Sequence, residues 1–344
     1  MKNNNVESLN CLLCGNEAVL KTSSLSGYQL PLKFSVYHCS NCDCGFNFPR
    51  IPSSQIYDNI YKNSSIVPGY KRYWKYFNEV KLHDNSFSFL AESESTYWGV
   101  KQALSEIDID KNNLKILEVG SGMGYLTYSL RKEGYNAIGL DISANAIQLA
   151  KESFGEFYIC SDIFDYSLNN ENKYNVVVLT EVIEHVDEPF VFLSALFKLL
   201  KSGGRIVVTT PNKSLYPKNT IWASDLPPVH LWWLSEKSLT YLADKLKMNI
   251  SFIDFSRFYK KHYKSIRPSE YADFTNLKPF FDENNLLIEY KNNEVSTLHR
   301  AITKIINFFP SLRSFILRLL DSRFSGVIVC SKRGTVICAV LMKP

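Results

Sequence analysis

Long apolar runs are absent from this chain. No stretch approaches the ~20 apolar residues that a membrane-spanning helix needs, and the first ten residues, MKNNNVESLN, hold neither an apolar segment nor a cleavage-like site. An excess of one charge is also missing, since 39 Lys and Arg face 34 Asp and Glu. The net charge of +5 does not by itself indicate nucleic-acid binding. We expect a cytoplasmic protein with no signal peptide and no transmembrane segment, and the charge does not favour a nucleic-acid partner.

Cysteine is concentrated near the amino terminus. Five of the eight cysteines fall between Cys11 and Cys44, and without a secretory signal such a cluster indicates metal binding rather than disulfides. Two Cys-x-x-Cys pairs supply four thiolates, the ligand set of a tetrahedral structural zinc site. The predicted zinc ligands are Cys11, Cys14, Cys39 and Cys42, with Cys44 as the alternative to Cys42.

The chain divides into four regions by pattern. Residues 1–50 hold the cysteines, 51–112 form an aromatic helical linker or lid, 113–257 alternate β-branched runs with amphipathic helices, and 258–344 hold a helical insertion and final strands. The alternation in 113–257 predicts an α/β fold with a doubly wound parallel sheet. Ligands of such sheets bind beyond the carboxyl ends of the strands, at the topological switch point.

A glycine-rich loop follows the first strand of the third region. It reads Glu118-Val-Gly-Ser-Gly-Met-Gly124, and glycine lets the backbone turn tightly and approach a ligand closely. The spacing differs from the Gly-x-Gly-x-x-Gly of dinucleotide-binding folds. The acid Glu118 disfavours a pyrophosphate and favours a ligand that carries an amine. A tight turn without any ligand remains the alternative.

Two further acids end the next two strands. Asp141 is placed to accept the hydroxyls of a ribose, and Asp162 to accept from an adenine amino group. Ile142 and Ile163 follow these acids and would sandwich the base. Each acid alone would be explained as a loop or cap residue. Acids at three consecutive strand ends instead predict one pocket for a nucleoside.

Residues 113–257 resemble class I S-adenosylmethionine-dependent methyltransferases. The resemblance is carried by Glu118 to Gly124, Asp141, Asp162, residues 178–186 and the Gly203-Gly204 pair. It implies a seven-stranded, mostly parallel, Rossmann-like sheet beside a small zinc ribbon, and S-adenosylmethionine as cofactor. The implied cofactor-binding residues are Glu118, Gly120, Ser121, Gly122, Gly124, Asp141, Ile142, Asp162, Ile163 and Thr180.

The segment after the fourth strand carries the candidate catalytic residues. Glu181, Glu184 and His185 would point to one side of a helical turn, and two carboxylates with an imidazole favour a cation such as Mg²⁺ or Mn²⁺. His230, in an irregular segment after the fifth strand, is the fourth candidate.

These four residues resemble the metal ligands of small-RNA 3′-terminal 2′-O-methyltransferases, and the segment also resembles ubiquinone-pathway O-methyltransferases. The resemblance implies a metal that binds the acceptor hydroxyl and lowers its pKa. Two alternatives stay open: His185 or His230 acts directly as a general base, or His185 has a structural role only.

The cysteine module resembles the zinc ribbon that precedes methyltransferase domains in polysaccharide and deoxysugar gene clusters. Residues 39–50 and 56–61 carry this resemblance. It implies that the acceptor is a hydroxyl of a sugar, a glycan or a similar small metabolite. Trp222, Trp232 and Trp233 would form a stacking wall for a sugar ring or pack in the core. The alternatives are C-methylation of a deoxysugar nucleotide, RNA ribose 2′-O-methylation, and a non-catalytic zinc-ribbon protein that binds the cofactor.

The last region contains an amphipathic basic stretch from Leu298 to Leu320. It is expected either to pack as helices on the catalytic domain or to contact a membrane surface or a glycan-assembly partner. Two apolar segments, 326–330 and 335–340, are predicted strands, and one of them should complete the sheet.

Overall fold

The fold is described from a computed structural model of the chain. The model describes residues 7–51, 56, 59–60, 63, 66–67, 70–216, 220–221, 224–266, 272–273, 277–288, 310–321 and 326–344. The described strands are β1 (Ser8–Asn10), β2 (Glu17–Ser26), β3 (Lys33–Cys39), β4 (Cys44–Phe48), β5 (Lys115–Val119), β6 (Asn136–Asp141), β7 (Tyr158–Cys160), β8 (Tyr174–Thr180), β9 (Leu200–Pro211), β10 (Thr220–Ile221), β11 (Trp232–Trp233), β12 (Asn249–Phe252), β13 (Ser265–Ile266), β14 (Ala272–Asp273), β15 (Ile328–Val329) and β16 (Val336–Met342). The described α-helices are α1 (Lys71–Glu79), α2 (Ser86–Ser93), α3 (Ser95–Ser105), α4 (Tyr125–Lys132), α5 (Ala144–Phe154), α6 (Ile163–Leu168), α7 (Pro189–Leu199), α8 (Glu236–Lys245), α9 (Ser256–Lys261) and α10 (Pro310–Asp321).

The central sheet has seven strands in the order β12-β16-β9-β8-β5-β6-β7. The five strands from β9 to β7 pair in parallel, and β16 pairs antiparallel with both β9 and β12. Strands β6 and β7 lie on one side of β5, and β8 and β9 lie on the other. The topological switch point is therefore between β5 and β8. This order and the single antiparallel strand confirm the predicted doubly wound, mostly parallel sheet.

Each face of the central sheet has its own apolar core. Ile116 and its neighbour Leu117 point to opposite faces, as the period of a strand requires, and belong to different core clusters. Both side chains are fully buried, because helices cover the sheet on both sides. Such burial explains why the strands read as continuous apolar runs in the sequence.

Local signals set the ends of the helices beside the site. Ser143 accepts a hydrogen bond from the backbone of Ala146 and so caps α5, as expected for serine at this position. Ser235 and Ser238 form a reciprocal capping box at the start of α8. Pro189 occupies the first turn of α7, where its missing N–H costs nothing.

The cysteine module forms a second sheet with the order β1-β2-β3-β4-β11. Its last strand comes from the methyltransferase-like region, because Trp232 and Trp233 pair antiparallel with Phe46 and Gly45. The cysteines pack in the same apolar cluster as Leu117 of the central sheet. The ribbon therefore continues the catalytic region, although the sequence pattern treats 1–50 as a separate unit.

The carboxyl-terminal strands divide between two sheets. Strand β16 completes the central sheet between β9 and β12, as predicted, while β15 pairs only with the short strand β13. Of the amphipathic stretch 298–320, residues 298–309 lie outside the described residues, and the remainder is α10. No helix within the described ranges is long and apolar enough to cross a membrane.

Candidate functional site

A cavity of about 1760 Å³ opens at the carboxyl ends of β5, β6 and β8. Of the residues predicted to bind the cofactor or act in catalysis, all but one line it: Glu118, Gly120, Ser121, Gly122, Asp141, Ile142, Asp162, Ile163, Thr180, Glu181, Glu184, His185 and His230. The exception is Gly124. A Cβ at Gly124 would lie 2.6 Å from Ala150 and from Tyr158, so this glycine permits close helix–strand packing beneath the loop.

The glycine loop places open backbone at the floor of the cavity. Gly122 has φ +49°, and a Cβ built on it meets nothing within 4 Å. Its N–H donates to Oδ2 of Asp141 at 2.7 Å, while Oδ1 of Asp141 accepts from the backbone of Ser143 at 2.9 Å. The loop and the second strand end are thereby held as one surface that a ligand can approach closely.

Glu118 lies under the loop as a buried acid. Its carboxylate accepts a 2.5 Å hydrogen bond from the hydroxyl of Thr127 on α4. Burial raises the pKa of Glu118 to about 8, the hydrogen bond to Thr127 opposes this effect, and the charge of Asp141 adds to it. A bound cation would favour the ionised form, so the site suits the amine that the sequence predicts.

The adenine end of the predicted pocket combines a capping acid with exposed apolar side chains. Oδ1 of Asp162 accepts from the backbone of Phe164 and caps α6. The cap interpretation is therefore confirmed, and the contact with adenine stays a prediction. Ile142 is 72% exposed and Phe164 is 43% exposed, and both line the cavity. They offer apolar walls for a flat base. Phe164 was not among the predicted cofactor residues. Its position two residues after Asp162 is the only sequence signal that could have indicated its place in the cavity.

Glu181 is engaged by residues from the linker region. Its backbone lies in the left-handed region at φ +57°. Its carboxylate accepts from Arg72 at 3.1 Å, Tyr73 at 3.2 Å and Thr96 at 3.3 Å. Arg72 and Tyr73 on α1 were not anticipated, because no sequence signal links α1 to the end of β8.

Glu184, His185 and His230 come together with an unpredicted acid, Asp225. The two imidazole rings lie 4.5 Å apart between centroids. Nε2 of His185 is 4.0 Å from Oε1 of Glu184, and Nε2 of His230 is 3.9 Å from Oδ1 of Asp225. Asp225 precedes His230 in the same irregular segment, which is the only sequence signal it offered.

Burial shifts the pKa values of this cluster toward the uncharged forms of its members. Burial raises the pKa of Glu184 well above its ordinary range and that of Asp225 to about 7, and burial lowers the pKa of both His185 and His230. Within the described part of the chain, Oε1 of Glu184, Oδ2 of Asp225 and Nδ1 of His230 are buried without a hydrogen-bond partner. Unpaired buried groups indicate a place for a ligand, an ion or a proton.

The four predicted zinc ligands converge. Ligand atoms of Cys11, Cys14, Cys39 and Cys42 all lie within 4.8 Å of one another, a fit for a tetrahedral ion. Cys44 is also close, 3.5 Å from Cys11 and 3.4 Å from Cys42 between sulfurs. Across the described ranges, no set of three or more potential ligands outside the cysteine module converges as closely. Glu181, Glu184, His185 and His230 thus share a cavity without forming a preassembled metal site.

The tryptophans predicted as a stacking wall lie elsewhere. Trp232 and Trp233 are 1% and 4% exposed and pack under the ribbon, because β11 carries them into the second sheet. The core-packing alternative is therefore correct for these two, and Trp222 lies outside the described residues. Leu317 of α10 lines the cavity, which places part of the amphipathic stretch beside the site.

The comparison with protein families agrees with this geometry. Residues 95–250 match the family model described as "Methyltransferase domain", and the match spans all the strand ends described above. Residues 95–250, less than half of the chain, are thus similar to a methyltransferase domain and are hereafter called the methyltransferase domain. The three acids of this methyltransferase domain and its glycine loop are the features that sequence analysis assigns to the cofactor.

Two curated relatives are similar to part of the chain. One is the "Ubiquinone biosynthesis O-methyltransferase" of Vibrio parahaemolyticus serotype O3:K6, 34% identical over 106 residues, which are 29% of this chain and 45% of that protein. The other is the mitochondrial "Ubiquinone biosynthesis O-methyltransferase" of Dictyostelium discoideum, 34% identical over 129 residues, 33% of this chain and 40% of that protein. The chain thus spans less than half the length of either relative.

Among solved structures, the chain is similar to a SAM-dependent methyltransferase from Archaeoglobus fulgidus. The identity is 17% and the TM-score 0.41, over 71% of this chain and 92% of that chain. The fold of the methyltransferase domain is assigned here from its strand order.

Proposed function

We propose that the protein transfers a methyl group from S-adenosylmethionine to a hydroxyl group of a small acceptor. The observation that carries the proposal is the shared cavity. One end holds the glycine loop with Glu118, Asp141 and Asp162, and the other holds a buried histidine pair. The first end provides the groups that a nucleoside with an amino-acid tail requires, and the second provides groups that can take a proton.

The names of the similar proteins support oxygen as the methylated atom. Both matched relatives are named O-methyltransferases. Their similarity covers 29% and 33% of this chain, whereas the acceptor side of the cavity also includes residues of α1, α9 and α10. The similarity therefore supports the methylated atom but does not indicate which acceptor this chain uses.

His185 is the proposed general base. Its Nδ1 lies 2.7 Å from the carbonyl oxygen of Val229, so Nδ1 carries the hydrogen and Nε2 the lone pair. The lowered pKa keeps the ring neutral at neutral pH. Bound S-adenosylmethionine supplies a sulfonium methyl group for in-line displacement. His185 would accept the proton from the hydroxyl at Nε2. Oε1 of Glu184 lies 4.0 Å from that nitrogen and would face the resulting imidazolium.

A divalent cation remains the second candidate for activating the hydroxyl. The unpartnered atoms of Glu184, Asp225 and His230 are oxygen and nitrogen donors of the kind that Mg²⁺ or Mn²⁺ accepts. Such an ion would act as a Lewis acid on the acceptor oxygen. Glu181 fits this role less well, because Arg72 already neutralises its carboxylate.

The acceptor is proposed to be a sugar, a glycan intermediate or a similar hydroxylated metabolite. The acceptor side of the cavity presents the tyrosines Tyr70 and Tyr73 together with the acids Glu94 and Asp225. Aromatic faces and carboxylate oxygens together suit a ring that bears several hydroxyls.

The proposal is tested in two steps with the full chain. Calorimetry with S-adenosylhomocysteine should show binding, and a methyl-transfer screen with sugar and phenolic acceptors should show O-methylation. The screen is repeated with EDTA while protein-bound zinc is monitored: retained activity assigns the reaction to His185 without Mg²⁺ or Mn²⁺, and lost activity that Mg²⁺ restores assigns it to the cation. Binding without transfer to any acceptor would contradict the enzyme proposal and support the cofactor-binding alternative.

A further inference from the structure

We propose that the cysteine ribbon braces the acceptor side of the active site. The braced element is the strap, defined as residues 224–235, which carries Asp225 and His230 between β9 and α8. The inference rests on the proposed function only in that His230 belongs to the acceptor side. On this proposal, an ion on the four cysteines sets the geometry of the strap and leaves the cofactor end unchanged.

The ribbon contacts the strap through main-chain hydrogen bonds. Trp232 and Trp233 extend the ribbon sheet as β11 beside β4, and the N–H of Asn47 donates to the carbonyl of Leu231 at 3.4 Å. Farther along, the N–H of Tyr28 donates to the carbonyl of Pro227 at 2.7 Å. Strand β4 and the turn after β2 thus hold the segment on both sides of His230.

The opposite side of the strap holds the catalytic turn. The N–H of Leu231 donates to the carbonyl of Glu184 at 2.9 Å, and the indole N–H of Trp232 donates to the carbonyl of Val186 at 2.8 Å. The carbonyl of Val229 pairs with Nδ1 of His185 at 2.7 Å and so selects its tautomer. Leu231 and Trp232 therefore link the ribbon directly to the turn that carries the proposed base.

The cysteine knuckle itself is tied to the elements that flank the strap. Asp43, between Cys42 and Cys44, forms an ion pair with Lys213 at 2.5 Å, just after β9. The hydroxyl of Ser238 on α8 donates to the carbonyl of Cys42 at 3.0 Å. A bound ion would therefore hold β9, α8 and the strap in one arrangement, since structural zinc adds its binding energy to the folding of its ligand loops.

The cofactor end has its own supports. Glu118 is held by Thr127 of α4, and Asp141 by the backbone of Gly122 and Ser143. These partners belong to the glycine loop, α4 and the start of α5, not to the ribbon or the strap. Loosening the strap should therefore leave cofactor affinity intact, and this separation makes the inference testable.

The test combines amide hydrogen exchange, zinc content and S-adenosylhomocysteine binding on the full chain. Zinc removal by a strong chelator should speed exchange at Leu231 and Trp232 by about tenfold or more. The affinity for S-adenosylhomocysteine should change by less than about twofold.

Matched variants separate the brace from zinc binding in general. Lys213→Met removes the ion pair to Asp43 and should speed strap exchange with zinc still bound, whereas Lys213→Arg preserves the charge and should restore protection. The control is Glu156→Gln, which breaks the 2.9 Å pair with Lys151 on the far edge of the central sheet and should leave the strap unchanged.

Two outcomes would overturn the brace. One is a strap that stays equally protected after zinc has left. The other is exchange that rises throughout the chain together with loss of S-adenosylhomocysteine binding, because the ribbon would then be a general folding element. If the intact protein fails to bind S-adenosylhomocysteine, the proposed function fails, yet the exchange of the strap still decides the brace.

Discussion

Glu118 couples cofactor binding to pH. Its pKa of about 8 in the free protein means that the carboxyl group carries a proton at pH 7, and an amine-bearing ligand prefers the ionised form. Binding must therefore release a proton below pH 8. We expect the affinity for S-adenosylhomocysteine to rise by up to about tenfold per pH unit between pH 6 and 8 and to level off above.

Calorimetry in buffers of different ionisation enthalpy measures that proton release directly. Glu118→Gln keeps an acceptor for Thr127 but cannot ionise, so its weaker binding should lose this pH dependence. An unchanged slope in the Gln variant would assign the released proton to another group.

A second prediction concerns ribose binding by Asp141. Asp141→Asn leaves one oxygen to serve both the N–H of Gly122 and a ribose hydroxyl. Loss of a charged hydrogen bond costs about 1.5–3 kcal/mol, which corresponds to roughly 10- to 100-fold weaker binding of S-adenosylhomocysteine. Asp165→Asn, exposed on α6, is the matched control and should bind like the parent. Equal affinity of the Asp141 variant would remove this residue from the ribose site.

If His185 is the general base, its protonation should set the acid limb of the pH–rate profile. A base must be neutral to accept a proton, and burial lowers the pKa of His185 below its ordinary value. At saturating S-adenosylmethionine, kcat/KM for the acceptor should therefore stay constant through neutral pH and fall only below the ordinary histidine pKa of about 6.5. His185→Gln, which keeps a donor toward Val229, should lose about 100-fold or more in kcat with cofactor affinity retained. A limb well above pH 7 would point to a different base.

At the residue scale, the site residues that could be predicted from sequence are those next to a recognisable strand. Glu118, Asp141 and Asp162 each follow a strand with a readable pattern, and parallel strands bring their carboxyl ends together. Arg72 and Asp225 were missed because their place depends on how α1 and the strap fold over the sheet. Glu181 was found, but its ion pair with Arg72 could not be, so its role changed.

Helix α10 reaches the cavity from outside residues 95–250. Asp321 at its end accepts from Tyr263 at 3.0 Å and Ser265 at 2.5 Å, and Leu317 lines the cavity. Asp321→Ala should loosen α10 and raise the acceptor KM about three- to tenfold, with S-adenosylhomocysteine affinity unchanged. Leu320→Ser, on an exposed side chain of the same helix, is the control. Equal KM values would place the acceptor away from α10.

The ends of a helix or strand can be predicted from sequence where local residues mark them. The sequence pattern predicts a helix over Tyr125–Lys132 and a strand over Tyr174–Thr180, and α4 and β8 have these bounds, because a glycine turn and a continuous apolar run mark them. A strand is predicted over 157–162, but β7 covers only Tyr158–Cys160, since Asp162 leaves the sheet to cap α6. The pairing of β4 with β11 was not predictable, because it joins segments far apart in the chain and neither carries a turn signal for the other.

On the scale of the whole molecule, the ribbon and the central sheet share one apolar core, and they should unfold together. Phe46 is fully buried at their junction, with its ring 5.7 Å from Tyr37 of the ribbon and 5.9 Å from Trp232 of the strap. Phe46→Ala should cost about 3–5 kcal/mol and lower the Tm by about 5 °C in a single calorimetric transition. The control is Leu12→Ser, 52% exposed on the ribbon, with little expected shift. A separate early transition in the Phe46 variant, with the remainder melting at the parent temperature, would show instead that the ribbon folds as an independent domain.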